Sequence, residues 1–287
     1  MRDIFPYHAS NFQDPVWRNM APEAGSNQSV ERALGVLRVF TGGRAELRVS
    51  DVAKAAELTL STASRLLATL EAAGFVDRDP VSGLYRLGLD MVSLGGSVLN
   101  SHPVHREARQ IAQGLAADLG LGANVAVRRG DQLFYLLNFE GRQAPRAFVL
   151  AGQRNPLHVT GLGKALLSGL TAAQRRELLP ALPKYTPHSL STHDDLDAEL
   201  ARCSARGYFG EVEELAHSRA CVAAPIRDGA GDVVAAISVS GPLSAIDLQN
   251  REPALARAVI EAADSISIGL GYVGPAHLPA QLAAVTR

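Results

Sequence analysis

The sequence predicts an α+β protein of two domains: a small N-terminal winged helix-turn-helix, then a linker helix, then a larger domain in which helices pack on an antiparallel sheet. Three observations carry this. The chain has 287 residues, room for about two domains of ordinary size. Its first third holds three short amphipathic helical segments followed by two strand-like pieces. Beyond about Ala123 the apolar pattern changes from helical spacing to strand-like alternation.

The elements follow in order. Residues 1–26 carry Pro6, Pro15, Pro22 and Gly25 with no hydrophobic period and are expected to form a poorly ordered extension. SVERALGVLRVFT at 29–41 places Val30, Ala33, Leu34, Leu37 and Phe40 at helical spacing, with Gly42-Gly43 as its stop. Ser50 is expected to cap a short helix, DVAKAAEL, at 51–58. A tight turn at Glu57–Thr59 leads to a third helix over 61–73, with Ala63, Leu66, Leu67 and Leu70 inward and Gly74 as its stop. FVDRD and LYRLG then read as strands around the turn Pro80-Val81-Ser82-Gly83. Residues 88–119 read as helical with breaks at Gly95-Gly96 and Pro103.

In the larger domain the strand candidates are ANVAVRR, QLFYLLNF, RAFVLAG, ACVAAPIRD and DVVAAISVSG. Helices are expected over 162–169, 171–179 (opened by a Thr171/Gln174 capping box), 195–205 and 251–270. The boundaries this sets are an extension at 1–26, a DNA-binding-type domain at 27–90, a linker helix at 91–106, a larger domain at 107–274 and a tail at 275–287.

Composition narrows the class. A net charge of −1 with 20% charged and 47% hydrophobic residues describes a globular chain rather than one that coats nucleic acid by bulk charge. Two cysteines, Cys203 and Cys221, are too few for a disulfide framework and lack zinc-ligand spacing. No apolar run approaches a membrane span, and the start MRDIFPYHASNF lacks the order of a secretory signal. A reducing, cytoplasmic setting without membrane, metal or cofactor is the expectation.

A helix-turn-helix needs small polar and basic side chains on the outer face of its second helix, where they can reach base edges and phosphates. Ser61, Thr62, Ser64, Arg65 and Thr69 meet that need, with Arg65 the best base or phosphate reader. Arg78 and Arg86 lie on the following hairpin, the wing. The competing reading is an ordinary three-helix bundle with a solvated polar face.

In the larger domain, Pro156 to Lys164 is a glycine-containing loop that opens a helix, and free N–H groups at a helix start attract anions. It departs from a phosphate-binding P-loop, since His158 and Ala165 stand where that motif needs Gly and Ser or Thr. It reads either as a carboxylate site or as a tight turn that packs helix on sheet. Ser238 and Ser240 share one strand face by alternation, with Cys221 at the start of another strand. They either converge on a ligand or divide between solvent and core. Cys221 with His158, His188, His193 or His217 could make a nucleophile and base, but no acidic orienter or nucleophile motif accompanies them. No catalytic residue is therefore expected. A stand-alone metabolite-binding or enzymatic α+β protein with an N-terminal dimerisation module remains the alternative.

The stretches SVERALGVLRVF, STASRLLATLEAAGFVDRD, SGLYRLG, NPLHVTGLGKALL, RGYFGEVEE, CVAAPIRD and AAISVSGP, in this order and spacing, resemble the IclR family of bacterial transcription regulators from Ser29 to about Gly271. The resemblance implies a winged helix-turn-helix, a linker helix and a GAF-like effector-binding domain. It also implies dimers and tetramers on double-stranded operator DNA, and a small organic acid as effector. Carried over by alignment, the acid's ligands would be Gly161, Leu162, Glu211, Cys221, Ser238 and Ser240. Three departures follow. Glu211 stands where Asp is usual, and Ser218-Arg219-Ala220 displaces the usual arginine by one position. Ala144, Ala147 and Asn155 align with bulky apolar pocket positions. A roomier or more polar pocket, suited to a hydroxylated aromatic acid, is the expectation.

Overall fold

A computed structural model describes residues 27–41, 44–143 and 150–274. The chain divides into two compact units between Val98 and Leu99.

The first unit is built on α1 (Gln28–Val39), α2 (Val49–Ala55) and α3 (Leu60–Ala72), followed by the antiparallel pair β1 (Val76–Arg78) and β2 (Tyr85–Leu87). Its core joins Val36, Phe40, Leu47, Val52, Leu67, Leu70, Val76 and Tyr85. Leu67 has no exposed surface, whereas Leu66 is only half-buried. Glu57 turns the chain between α2 and α3 with φ of 55°, a left-handed conformation that ends one helix so that the next can start at a new angle. The hairpin turn is held by Asp79, whose Oδ1 accepts from the Val81 and Ser82 N–H groups and from the Ser82 hydroxyl. Leu47 exchanges backbone bonds with Tyr85, adding a one-residue third strand to the wing.

Two expectations are corrected in this unit. Ser50 does not cap α2. It lies inside the helix, and the first turn is closed by the Arg48 N–H donating to Asp51. The break at Gly95-Gly96 is absent too: α4 runs unbroken through Asp90–Ser101. The cost of each glycine, about 1 kcal/mol relative to alanine, is too small to stop a helix that its neighbours favour. The stop proposed at Gly42-Gly43 lies outside the described residues.

The second unit opens with α5 (Pro103–Leu119), whose first position is Pro103 and whose cap, Gly120, takes φ of 70°. A six-stranded antiparallel sheet follows, in the order β5-β4-β3-β8-β7-β6. Its strands are β3 (Gly122–Arg129), β4 (Gln132–Phe139), β5 (Arg154–Pro156), β6 (Phe209–Val212), β7 (Arg219–Arg227) and β8 (Val233–Pro242). One face packs on α5 and on α10 (Leu248–Gly269), through Val125, Val222, Ala224, Ile237 and Val239 meeting Ala108, Ala112, Leu255, Val259 and Ile266. The other face carries α6 (Gly161–Leu167), with α7 (Ala172–Leu178) and α8 (His193–Arg206) outside it. The short α9 (Leu243–Ile246) links β8 to α10.

The strand expected over RAFVLAG is corrected only at its end. Its residues 146–149 lie outside the described residues, while Leu150–Gly152 form a turn ahead of the three-residue β5. The Thr171/Gln174 capping box is present. No described helix is long and apolar enough to cross a membrane.

Candidate functional site

Each unit holds one candidate surface. In the first, Thr59 caps α3, its hydroxyl accepting from the Thr62 N–H at 3.3 Å and lying 2.8 Å from the Thr62 hydroxyl and 3.2 Å from that of Ser61. This local network fixes the first turn of the helix. Ser61, Ser64, Arg65 and Thr69 are exposed and Thr62 is half-buried, so α3 presents a continuous polar face. The Thr69 hydroxyl donates back to the Arg65 carbonyl, leaving only its oxygen available outward. Arg65 has no side-chain partner among the described residues, which leaves all five of its donors free for phosphate or base edges. On the wing, the Arg78 guanidinium lies 5.5 Å from the centre of the Tyr85 ring. Arg86 sits 3.7 Å from Asp77 and 3.9 Å from Glu46 with about half its side chain exposed. Arg86 would have to leave those carboxylates to reach DNA; Arg65 would not.

In the second unit, strand alternation and register set polar groups side by side on the face beneath α6. Glu211 pairs with Cys221, Cys221 with Ser240, and Ser240 with Gly122, one row across four strands. The next row runs Phe209, Ala223, Ser238, Asn124 and Asn138. Arg219 lies on the same face, two residues before Cys221. Glu211, Cys221, Ser238 and Asn124 are all buried.

Helix α6 closes over these rows because Gly161 permits it, while Gly163 permits the tight turn that leads into the helix. A Cβ at Gly161 would stand 2.7 Å from the Cys221 sulfur, and one at Gly163 would stand 2.1 Å from the Leu157 carbonyl oxygen. Thr160 caps the helix by accepting from the Gly163 N–H at 3.0 Å. The Gly161 N–H donates to Cys221, while the Leu162 N–H has no partner among the described residues. The Leu162 side chain belongs to the apolar cluster between α6 and the sheet, so only its backbone is available to a ligand. The close packing expected of the glycine loop is present, and of its two first backbone donors the Leu162 N–H is the one left without a partner among the described residues.

Charge is concentrated here. Lys164 has no exposed surface, and its ammonium lies 2.5 Å from Glu214 and 4.0 Å from Glu199. Burial raises the Glu214 carboxyl above its ordinary range, with Lys164 opposing. Glu211 accepts from the Glu214 N–H at 2.6 Å and the Leu215 N–H at 3.3 Å, yet burial pushes its carboxyl up to about 7. Burial, reinforced by Glu211, drives the Cys221 thiol far above its usual range. A thiol held protonated is a poor nucleophile, so the geometry argues against Cys221 as a catalytic residue.

Sequence reasoning missed several polar groups on this face. Tyr135 on β4 is buried, accepts from the Asn155 amide at 3.0 Å, and is pushed up to about 12 by burial. Asn124, Asn138, Lys164 and Glu214 also went unmarked. A polar residue at an inward strand position was the available signal for Asn124. Asn155 takes part through Tyr135, whereas Ala144 and Ala147 lie outside the described residues. The four histidines considered as bases do not join this cluster by any hydrogen bond among the described residues. His158 instead contacts the Pro183 carbonyl at 2.9 Å, and His188 lies 4.0 Å from Glu213.

Comparison with known proteins identifies both units. Residues 29–80 match the IclR helix-turn-helix domain, and residues 96–268 match the C-terminal domain of the bacterial transcriptional regulator IclR. The regulator XynR of Escherichia coli K12 is 33% identical over 250 residues, covering 85% of this chain and 98% of that protein. The repressor AllR of Salmonella typhi is 33% identical, with 86% and 92% covered. Among solved structures, an IclR regulator of Alicyclobacillus acidocaldarius superposes with a TM-score of 0.75 at 26% identity, with 86% and 100% covered. An IclR homologue of Microbacterium hydrocarbonoxydans complexed with 4-hydroxybenzoate gives 0.75 at 25% identity, with 85% and 99% covered.

The raised Glu211 carboxyl has a measurable consequence. Its folded value lies above its unfolded one, so between about pH 4.5 and pH 7 the native state holds a proton that the unfolded chain has lost. Stability therefore falls as pH rises through that window. Glu211→Gln keeps the acceptor for both N–H groups and removes the titration. The unfolding free energy of the wild type relative to Glu211→Gln should fall by on the order of 3 kcal/mol between pH 4.5 and pH 8. Urea denaturation of both proteins across this range checks it, and parallel profiles would show that Glu211 titrates as an ordinary carboxylate.

Proposed function

The chain belongs to the IclR family of bacterial transcription regulators, and from that premise we propose that it binds operator DNA through α3 and the wing under the control of a small organic acid held beneath α6. The observation that carries the proposal is the row Glu211, Cys221 and Ser240, with Ser238 beside it, lying directly under the first turn of α6. Hydroxyls and backbone N–H groups suit a carboxylate. A Glu211 carboxyl near 7 is partly protonated at neutral pH and can donate to an anion instead of only repelling it.

A hydroxylated aromatic acid fits the site better than a two- or three-carbon acid. Tyr135 and Asn155 add polar groups that a short acid lying under α6 has no atoms to meet. The solved relative that holds 4-hydroxybenzoate supports this ligand class. The reading as a metabolite-binding or enzymatic protein with an N-terminal dimerisation module is not favoured, because the matched relatives are transcription regulators.

A second copy of the chain is part of the proposal. Val30 and Leu34 are exposed on α1, as are Val92, Leu94 and Val98 on α4, which buries none of its side chains. Apolar faces of this kind favour self-association. Dimers formed through the N-terminal region, and tetramers of those dimers, would present paired α3 helices to a two-fold operator.

Two measurements test this. Arg65→Ala should weaken binding to duplexes selected by the wild-type protein from a random-sequence pool by about 1–3 kcal/mol, with melting unchanged. Wild-type affinity in a fluorescence-anisotropy titration would remove Arg65 from the interface. Light scattering of the full-length protein at micromolar concentration should give at least a dimer, and a strict monomer would contradict the assembly.

A further inference from the structure

A chain of hydrogen bonds crosses the sheet on the effector side, and its direction can be read from one end. It starts at Leu150, whose backbone N–H donates to the Asn138 Oδ1 at 3.3 Å. A backbone N–H can only donate, so this bond fixes which end of the Asn138 amide is oxygen. The Asn138 Nδ2 then faces Asn124 and donates to its Oδ1 at 2.8 Å. That fixes Asn124 in turn, and the Asn124 Nδ2 donates to the Ser240 Oγ at 3.1 Å. Each amide passes the polarity on, and no member can reverse alone without setting two donors or two acceptors against each other. Asn124 is buried on β3, between β4 and β8, where a mismatched amide would have no water to relieve it.

The chain ends at a hydroxyl that has already accepted. Ser240 therefore has its own hydrogen to give, and Ser240 stands in register between Gly122 and Cys221 on the face beneath α6. We infer that Asn124 and Asn138 are positioning residues that fill one acceptor site of the Ser240 hydroxyl, turn its hydrogen toward the ligand, and so tune the effector site for a carboxylate over the corresponding carboxamide. A carboxylate offers only acceptors, and either oxygen can take a hydrogen turned toward it. A carboxamide has one acceptor instead of two, and its NH2 group must compete with the Asn124 amide for the lone pairs of the Ser240 oxygen. Neither asparagine needs to touch the ligand. The inference deepens the effector site proposed above and rests on it for the ligand, while the polarity of the chain stands without any ligand.

The test compares 4-hydroxybenzoate with 4-hydroxybenzamide by isothermal titration against the full-length wild type, Asn124→Ala, Asn138→Ala and the double variant Ser238→Ala/Ser240→Ala. The wild type should prefer the carboxylate. Asn124→Ala introduces no charge and should shrink that preference by about tenfold, mostly by weakening the carboxylate. Asn138→Ala, in a half-buried position two strands from Ser240, frees the Asn124 amide to turn and should act in the same direction, which keeps the test open if Asn124→Ala folds poorly. An unchanged preference in both folded asparagine variants, with the double serine variant weakened, would overturn the inference and leave the effector site standing. If the wild type binds neither compound, the hydroxylated aromatic acid reading fails, and a ligand-free measurement decides the inference. In nitrogen-15 spectra, Ser240→Ala should shift the side-chain amide signals of Asn124 and, more weakly, of Asn138. Unmoved signals would show that the chain does not exist.

Discussion

The face of the sheet beneath α6 is organised by one desolvated ammonium. Taking a lysine fully out of water costs several kcal/mol even after relaxation, and only close opposite charge with good hydrogen bonding offsets it. Lys164 meets Glu214 at 2.5 Å and has Glu199 at 4.0 Å. That requirement ties three separate pieces of chain together: α6, which bears Lys164, the β6–β7 hairpin, which bears Glu214, and α8, which bears Glu199. The hairpin is held from its other side by Thr186 and Ser189, whose hydroxyls donate to the Glu213 and Glu214 carbonyls. Glu213 and Ser218 take left-handed φ values of 56° and 61° within it. With the hairpin pinned, Glu211 is fixed opposite Cys221, and the polar row under α6 follows.

Close packing does the rest. Gly161 lets α6 approach the sheet to a distance that any Cβ would forbid, and Gly163 lets the helix fold back tightly on the Leu157 backbone. The helix start therefore lies against the strand hydroxyls and the thiol instead of above an apolar layer. The opposite face of the sheet is mainly apolar against α5 and α10, with Ser267 of α10 accepting from the Arg227 N–H at its edge. The sheet thus has one face that supplies stability and one that gives up part of its apolar burial to hold polar groups. In the first unit the division is simpler: α3 buries Ala63, Leu67 and Leu70 and leaves Arg65 outward and unpaired among the described residues.

Much of this was legible in the sequence where one element decides the outcome by itself. The face of α3 follows from helical spacing, the Thr171 cap from its local box, and the common face of Ser238 and Ser240 from strict alternation. Legibility ended where partners distant in sequence decide. Alternation cannot say that Cys221 stands opposite Ser240 or Glu211 opposite Cys221, because register is a property of pairs. Strands β5 and β6, of three and four residues, are too short to show a period. Lys164 reads as a surface residue by type, and only the arrival of Glu214, 50 positions away, makes its burial tolerable. The Gly95-Gly96 break and the Ser50 cap failed for a smaller reason: each rested on a local preference of about 1 kcal/mol.

The central claim is that the polar row beneath α6 and the outer face of α3 are two sites of one equilibrium. A ligand can shift operator affinity only by binding the DNA-competent and incompetent states unequally, and the coupling must then be reciprocal. The most direct measurement titrates the full-length protein with 4-hydroxybenzoate in the presence and absence of its selected duplex, and with duplex in the presence and absence of 4-hydroxybenzoate. The account predicts that both affinities change by the same factor, clearly different from one, and that Ser238→Ala/Ser240→Ala brings the factor close to one. Binding of both ligands with no mutual effect would contradict it.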